Sequence, residues 1–141
     1  PEGLQASLAI TDALRRADLA VSDLSFVQAH ATGTPVGDLA ESRALRRSLG
    51  AALDSLPVTA PKGQLGHLLG AAGAVETILA LQSLRQGVVP RSLNADPLDP
   101  EVELAVVQGS SLALPQVSGE RYALKNAFGF GGHNISLILA A

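Results

Sequence analysis

The sequence predicts an α/β layered domain, a mainly buried sheet covered by helices. The clearest sign is the order of its segments. Stretches of helical periodicity alternate with short β-prone runs as helix–strand–helix–strand–helix–strands. Apolar residues are 47% of the chain and charged ones only 16%, against roughly 25% charged in an average soluble domain. The 141 residues are enough for one compact domain, residues 1–141, and too few for two comfortable ones.

Residues 3–19 read as an amphipathic helix. Leu4, Leu8, Ile10, Ala13, Leu14 and Ala17 fall near one stripe, with Asp12, Arg15 and Arg16 off it. Asp23 marks a turn, and Leu24 to Ala29 is apolar enough for a strand ending just before His30. The loop 31–37 is rich in Thr, Gly and Pro. Asp38 and Glu41 are expected to open a second helix, because acidic side chains suit the positive end of its dipole. Leu45, Leu49, Ala52 and Leu53 give that helix its apolar side. Val58 to Ala60 is a short strand ended by Pro61.

Leu68 to about Arg85 is apolar nearly all round, which predicts a buried helix. Its charge-free run is too short for the ~20 residues a bilayer span needs, so no membrane span is expected. Gly87 and Pro90 are its stop signals. A three-proline loop covers residues 90–100, Val102 to Val107 reads as an edge strand, and 108–119 reads as loop. Tyr122 to Phe128 and Ile135 to Ala140 read as strands. The glycine-rich turn 129–132 between them predicts an antiparallel pair.

Composition excludes several functions. A net charge of −3, with no basic run beyond Arg15-Arg16 or Arg46-Arg47, argues against nucleic-acid binding. With no cysteine, this chain carries no disulfide, no Cys-ligated metal and no thiol nucleophile. The three histidines, His30, His67 and His133, lack the paired spacing of zinc sites. No secretory signal is expected, because no basic start precedes an apolar stretch. The opening Pro1-Glu2-Gly3 and the low charge point to a piece of a longer protein.

The informative residues are polar ones in odd places. His30 ends a buried-looking strand, where sites gather in open α/β sheets. His67 stands at the start of the most apolar helix, where the dipole disfavours a protonated imidazole. Lys62 lies in the loop just before it. Glu76 lies inside that helix, where an unpaired carboxylate is expensive, and Lys62 is its candidate partner. Each has a structural alternative: a histidine that only hydrogen-bonds, a packing-linked salt bridge, an ordinary hairpin turn at Gly129-Phe130-Gly131-Gly132.

Three segments together resemble the C-terminal part of β-ketoacyl-acyl-carrier-protein synthases, condensing enzymes of the thiolase superfamily. They are Ala29-His30-Ala31-Thr32-Gly33-Thr34-Pro35-Val36-Gly37-Asp38, the stretch from Pro61-Lys62-Gly63-Gln64-Leu65-Gly66-His67 to Glu76, and Asn126-Ala127-Phe128-Gly129-Phe130-Gly131-Gly132-His133-Asn134. Their wording is most similar to elongating synthases of dissociated fatty-acid synthesis, with modular polyketide ketosynthases as neighbours. The resemblance implies a thiolase-like layered fold, a mixed sheet packed against helices of which one is buried and apolar.

By the same resemblance, His30 and His67 match the two active-site histidines, Lys62 the active-site lysine, and Glu76 the acid that holds it. Thr32 and Thr34 match threonines that bind the pantetheine arm. Phe130 matches a gate, with Phe128 on the same substrate side, and Asp38 matches a loop-ordering aspartate. Ala31 stands where Gly is frequent and Gly63 where Ser is frequent. The implied partners are acyl carrier protein, malonyl and acyl thioesters, an N-terminal half carrying the nucleophilic Cys, and a second copy in a homodimer. No resident cofactor is implied, since the phosphopantetheine arm arrives on the carrier protein. The implied compartment is the cytoplasm.

Overall fold

A computed structural model describes residues 2–141. Its main sheet has four strands in the order β2-β1-β5-β6, namely β1 (Leu24–Gln28), β2 (Val58–Thr59), β5 (Tyr122–Gly129) and β6 (His133–Ala140). β1 runs parallel to both β2 and β5, and β5 pairs antiparallel with β6 from Tyr122↔Ala140 to Gly129↔His133. The sheet is therefore mixed. The glycine-rich turn closes the β5–β6 hairpin, with Gly131 and Gly132 at φ of 78° and 80°, a region open to glycine at little cost.

Helices α1 (Leu4–Ala17) and α2 (Pro35–Leu49) cover one face. There Ile10, Leu14, Val27, Leu45, Leu53 and Leu124 form the larger core. Helix α4 (Ala72–Gln86) covers the other face, packing Ala80 and Leu84 against Phe26, Val89 and Ala123. Central strands β1 and β5 are thus buried on both sides. α2 begins at Pro35, where the missing N–H costs nothing and φ is preset. α4 stops at Gly87, whose φ of 65° and N–H bonds to the Leu84 and Ser83 carbonyls end the helix.

Several expectations are corrected. α1 buries Ala6, Ser7, Ile10 and Leu14, leaving Leu4 and Leu8 more than half exposed; its inner face packs on both α2 and β6. The helix expected from Leu68 starts only at Ala72, after a 3-10 turn at Leu69–Ala71. Leu69 has φ of 50°, which no right-handed helix accommodates. α4 is not buried all round. Ala72, Glu76, Ala80, Ser83 and Leu84 face inward, while Ile78 is 59% exposed. One sheet face covers one side of a helix, and none of the described residues covers the other side.

β6 is an edge strand with Ile135 and Leu137 open, so the sheet is less buried than expected. The proposed strand 102–107 shrinks to a single parallel bridge, Val58↔Val106. Its Leu104 and Val106 N–H groups turn back to the carbonyls of Val102 and Leu104 instead of joining a ladder. Within the expected 108–119 loop, β4 (Leu112–Ala113) pairs with β3 (Val88–Val89) in a small antiparallel sheet. A one-turn helix α3 (Lys62–Leu65) follows β2.

Candidate active site

The parallel strands β1 and β2 end on the same side of the sheet, and their loops carry the site. His30 follows β1. Lys62 opens α3 after β2, and His67 lies in the loop beyond Gly66. The two imidazole rings meet edge to face with centroids 5.8 Å apart. Phe128 of β5 stands against His30 at 5.6 Å. These residues border a cleft of about 970 Å³, which Leu4, Thr32, Thr34 and the 95% exposed Phe130 also line. A second cavity of about 540 Å³ lies along the Ala31–Gly33 loop, lined by Asp38, Lys62, Gly66, Leu93 and Pro97. Thr32 and His67 border both cavities.

Hydrogen bonding assigns the protons on both imidazoles. Lys62 Nζ lies 3.4 Å from His30 Nδ1. An ammonium only donates, so Nδ1 accepts and Nε2 carries the hydrogen. His67 Nδ1 accepts from the Leu69 N–H at 3.3 Å, which leaves its hydrogen on Nε2 as well. The expected dipole argument for His67 does not apply, because α4 starts five residues later; the turn at Leu69 orients the ring instead. His30 has its pKa lowered to about 4, first by burial and then by the Lys62 ammonium. At neutral pH it is an uncharged donor.

Lys62 is buried, and its ammonium is 2.5 Å from Glu76 Oε1. Glu76 is fixed in turn, since α4 packs on the sheet and Gln28 Nε2 donates to the Glu76 carbonyl at 2.6 Å. Two neighbours were not legible as site residues. Lys125 on β5 is 1% exposed, with Nζ 3.4 Å from Glu76 Oε2. Glu41, expected to serve the start of α2, lies well inside that helix. Its carboxylate accepts from the N–H groups of His30 (2.9 Å) and Ala31 (2.8 Å) and from Asn126 Nδ2 (2.9 Å). Burial pushes the Glu41 carboxyl up, and these donors oppose that shift. A lysine in the middle of an apolar strand was the available signal for Lys125; Glu41 offered none.

Asp38 Oδ1 accepts from the Gly33 N–H at 3.2 Å, while burial raises its pKa. Thr32 and Thr34 share a hydroxyl contact of 3.2 Å. His133, at the exposed start of β6, takes no part in the cluster.

The two departures from the family pattern have structural readings. Ala31 sits at φ of 33°, a conformation that strains a side chain and suits glycine. Ala31→Gly is expected to stabilise the fold by about 0.5–1 kcal/mol, measured by chemical denaturation. At Gly63 a Cβ would lie 2.3 Å from the Leu93 carbonyl oxygen. Gly63→Ser is therefore expected to cost about 1–3 kcal/mol; an unchanged denaturation midpoint would contradict this close approach.

Uncharged imidazoles beside a buried lysine–carboxylate cluster, raised on the strand ends of a mixed sheet, define a ketosynthase-type, thiolase-like domain. Residues 1–96 match the family model described as Beta-ketoacyl synthase, C-terminal domain. The chain belongs to the β-ketoacyl synthase family. It is 50% identical over 137 residues to 3-oxoacyl-[acyl-carrier-protein] synthase 2 of Mycobacterium tuberculosis, which covers 97% of this chain and 31% of that protein. A β-ketoacyl synthase from Burkholderia phymatum superposes with a TM-score of 0.88 at 34% identity, over 98% of this chain and 32% of the other. A type II polyketide ketosynthase solved in complex with its acyl-carrier protein gives 0.89 at 27% identity, over 99% and 33%. The chain thus spans about a third of the length of the curated relatives it matches.

Proposed function

We propose that this chain is the histidine–lysine part of a condensing enzyme that elongates fatty acyl chains. The reaction is decarboxylative Claisen condensation of malonyl-acyl-carrier protein with an acyl thioester. One observation carries the reading: His30 and His67 meet at one cleft, with buried Lys62 against His30 and both imidazoles oriented through Nδ1. The 50% identity to a 3-oxoacyl-[acyl-carrier-protein] synthase, against 27% to the type II polyketide ketosynthase and 32% to an oxazolomycin ketosynthase domain, favours the fatty-acid pathway.

In this reading a thiolate from the N-terminal half attacks the acyl thioester, releases the carrier thiol and becomes an acyl-enzyme. This chain has no cysteine, so by itself it is inactive. Malonyl-carrier protein then loses carbon dioxide, and the electron pair left behind forms an enolate. With their ring centroids 5.8 Å apart at one cleft, both imidazoles stand within reach of a single bound thioester. In this reading the Nε2–H groups of His30 and His67 donate to the enolate oxygen. The enolate carbon attacks the acyl carbonyl, the Cys thiolate leaves, and the product stays on the carrier protein.

Thr32 and Thr34 hold the pantetheine arm, which needs no resident cofactor. Phe130 opens and closes over the nucleophile beside Phe128, and Asp38 holds the loop through Gly33. The complete enzyme works as a homodimer in the cytoplasm. The test is complementation. The chain is mixed with a cysteine-bearing N-terminal half and assayed for condensation of malonyl-carrier protein with an acyl primer. Absence of turnover from a well-folded complex would defeat the reading.

A further inference from the structure

One buried ionisable group has no part in the reaction just described. Lys125 lies in the centre of β5, opposite Gln28 on β1 and Leu137 on β6. Its side chain is 1% exposed and has one ionic partner among the described residues, Oε2 of Glu76. That carboxylate is already engaged through Oε1 by Lys62. Two ammonium groups therefore share one carboxylate in a region closed to water. A carboxylate has lone pairs enough for both donors, but only one negative charge.

We infer that Lys125 is a positioning residue for the histidine–lysine site: it divides Glu76 between two buried cations, so that the charge of Lys62 beside His30 is only partly cancelled. Its bearing on catalysis rests on the condensing reading above, whereas the charge arrangement stands apart from it.

The surroundings set the sign. From α4, Glu76 faces Lys125 with one negative charge. From α3, Lys62 adds a positive one, and Gln28 and Leu137 on the flanking strands add none. Glu41 on α2 is the other carboxylate within electrostatic reach. It accepts from the N–H groups of the His30 loop and from Asn126, and those donors oppose the upward push of burial on its pKa, as Glu76 opposes the downward push of burial on that of Lys125. His67, the remaining titratable neighbour of His30, lies across the cleft. This division of Glu76 does two things. It opposes protonation of His30, so that Nε2 stays an uncharged donor. It also leaves the Lys62 ammonium only partly cancelled by Glu76, so that its field reaches an enolate forming in the cleft.

The test uses the complete protein with histidine carbons labelled for NMR, so that its first readout needs no turnover. Burial and then the Lys62 ammonium lower the pKa of wild-type His30 to about 4. Lys125→Met should move that midpoint up by about 0.5 unit or more, while Lys125→Arg, which keeps the charge, should leave it in place. A folded Lys125→Met protein with an unchanged midpoint overturns the inference. Should the methionine variant not fold, the nitrogen signal of Lys125 in the wild type decides. A charged ammonium at neutral pH supports the inference, and a neutral amine overturns it. In the condensation assay, the acid limb of the rate should move up with the His30 midpoint. A rate loss without that movement marks Lys125 as structural only and overturns the inference. Absence of any condensation by the wild type defeats the proposed function and leaves the NMR result to stand by itself.

Discussion

Replacing His67 with alanine in the complete protein is expected to lower the condensation rate by about 10²–10³-fold. Acylation of the nucleophilic cysteine should change far less. The asymmetry follows from where charge develops. In condensation a full negative charge appears on the malonyl thioester oxygen, and a preorganised N–H donor in a closed site is worth roughly 3–4 kcal/mol there. His67 offers Nε2–H because its Nδ1 is taken by the Leu69 N–H. His67→Asn should recover part of the loss only if its amide reaches the same point. Burst kinetics of acyl-enzyme formation, measured beside malonyl decarboxylation, separate the two steps. Equal losses in both would count against the donor role.

The largest stability loss is expected at Glu76. Glu76→Ala leaves Lys62 and Lys125, with side chains 5% and 1% exposed, without the carboxylate they share. Removing one partner of a buried ion pair costs about 3–5 kcal/mol, because the remaining charge is stranded away from water. The deficit should depend on pH. Burial already lowers the Lys125 pKa, and removing a neighbouring negative charge lowers it further. Between that folded value and the ordinary value of 10.5, the unfolded chain binds more protons than the folded one, so stability rises with pH. The variant should thus be weakest near neutrality and regain stability as the pH approaches 10.5. Urea denaturation at pH 7 and pH 10 checks both points. A loss below about 1 kcal/mol at pH 7 would mean that the two ammonium groups reach water.

Much of the fold was legible because its signals are local. Pro35 and Gly87 mark helix ends through their own backbone limits. The strand-like runs on either side of the glycine-rich turn foretold the β5–β6 hairpin, and its observed register runs through all eight residues of each strand. The edge segment 102–107 misled, since its apolar residues are compatible with a strand while the Leu104 and Val106 N–H groups bond within the segment. At the site, the residue types and loops that carry His30, Lys62, His67 and Glu76 were readable because imidazole, ammonium and carboxylate groups stood out against apolar sequence.

By itself, then, the sequence determined the main helices, the β5–β6 hairpin, the histidine–lysine loops and the family, all of which depend on residues close together in the chain. Only the tertiary structure decided which faces are covered, leaving Ile78 and Leu4 open and enclosing Lys125. It alone brought Glu41 under the His30 loop and put two lysines on one carboxylate. The physical reason is that the cost of a buried charge is set by what surrounds it in space. Those surroundings come from strands and helices far apart in sequence, so a lysine or glutamate looks the same in a string whether it meets water or a counter-ion.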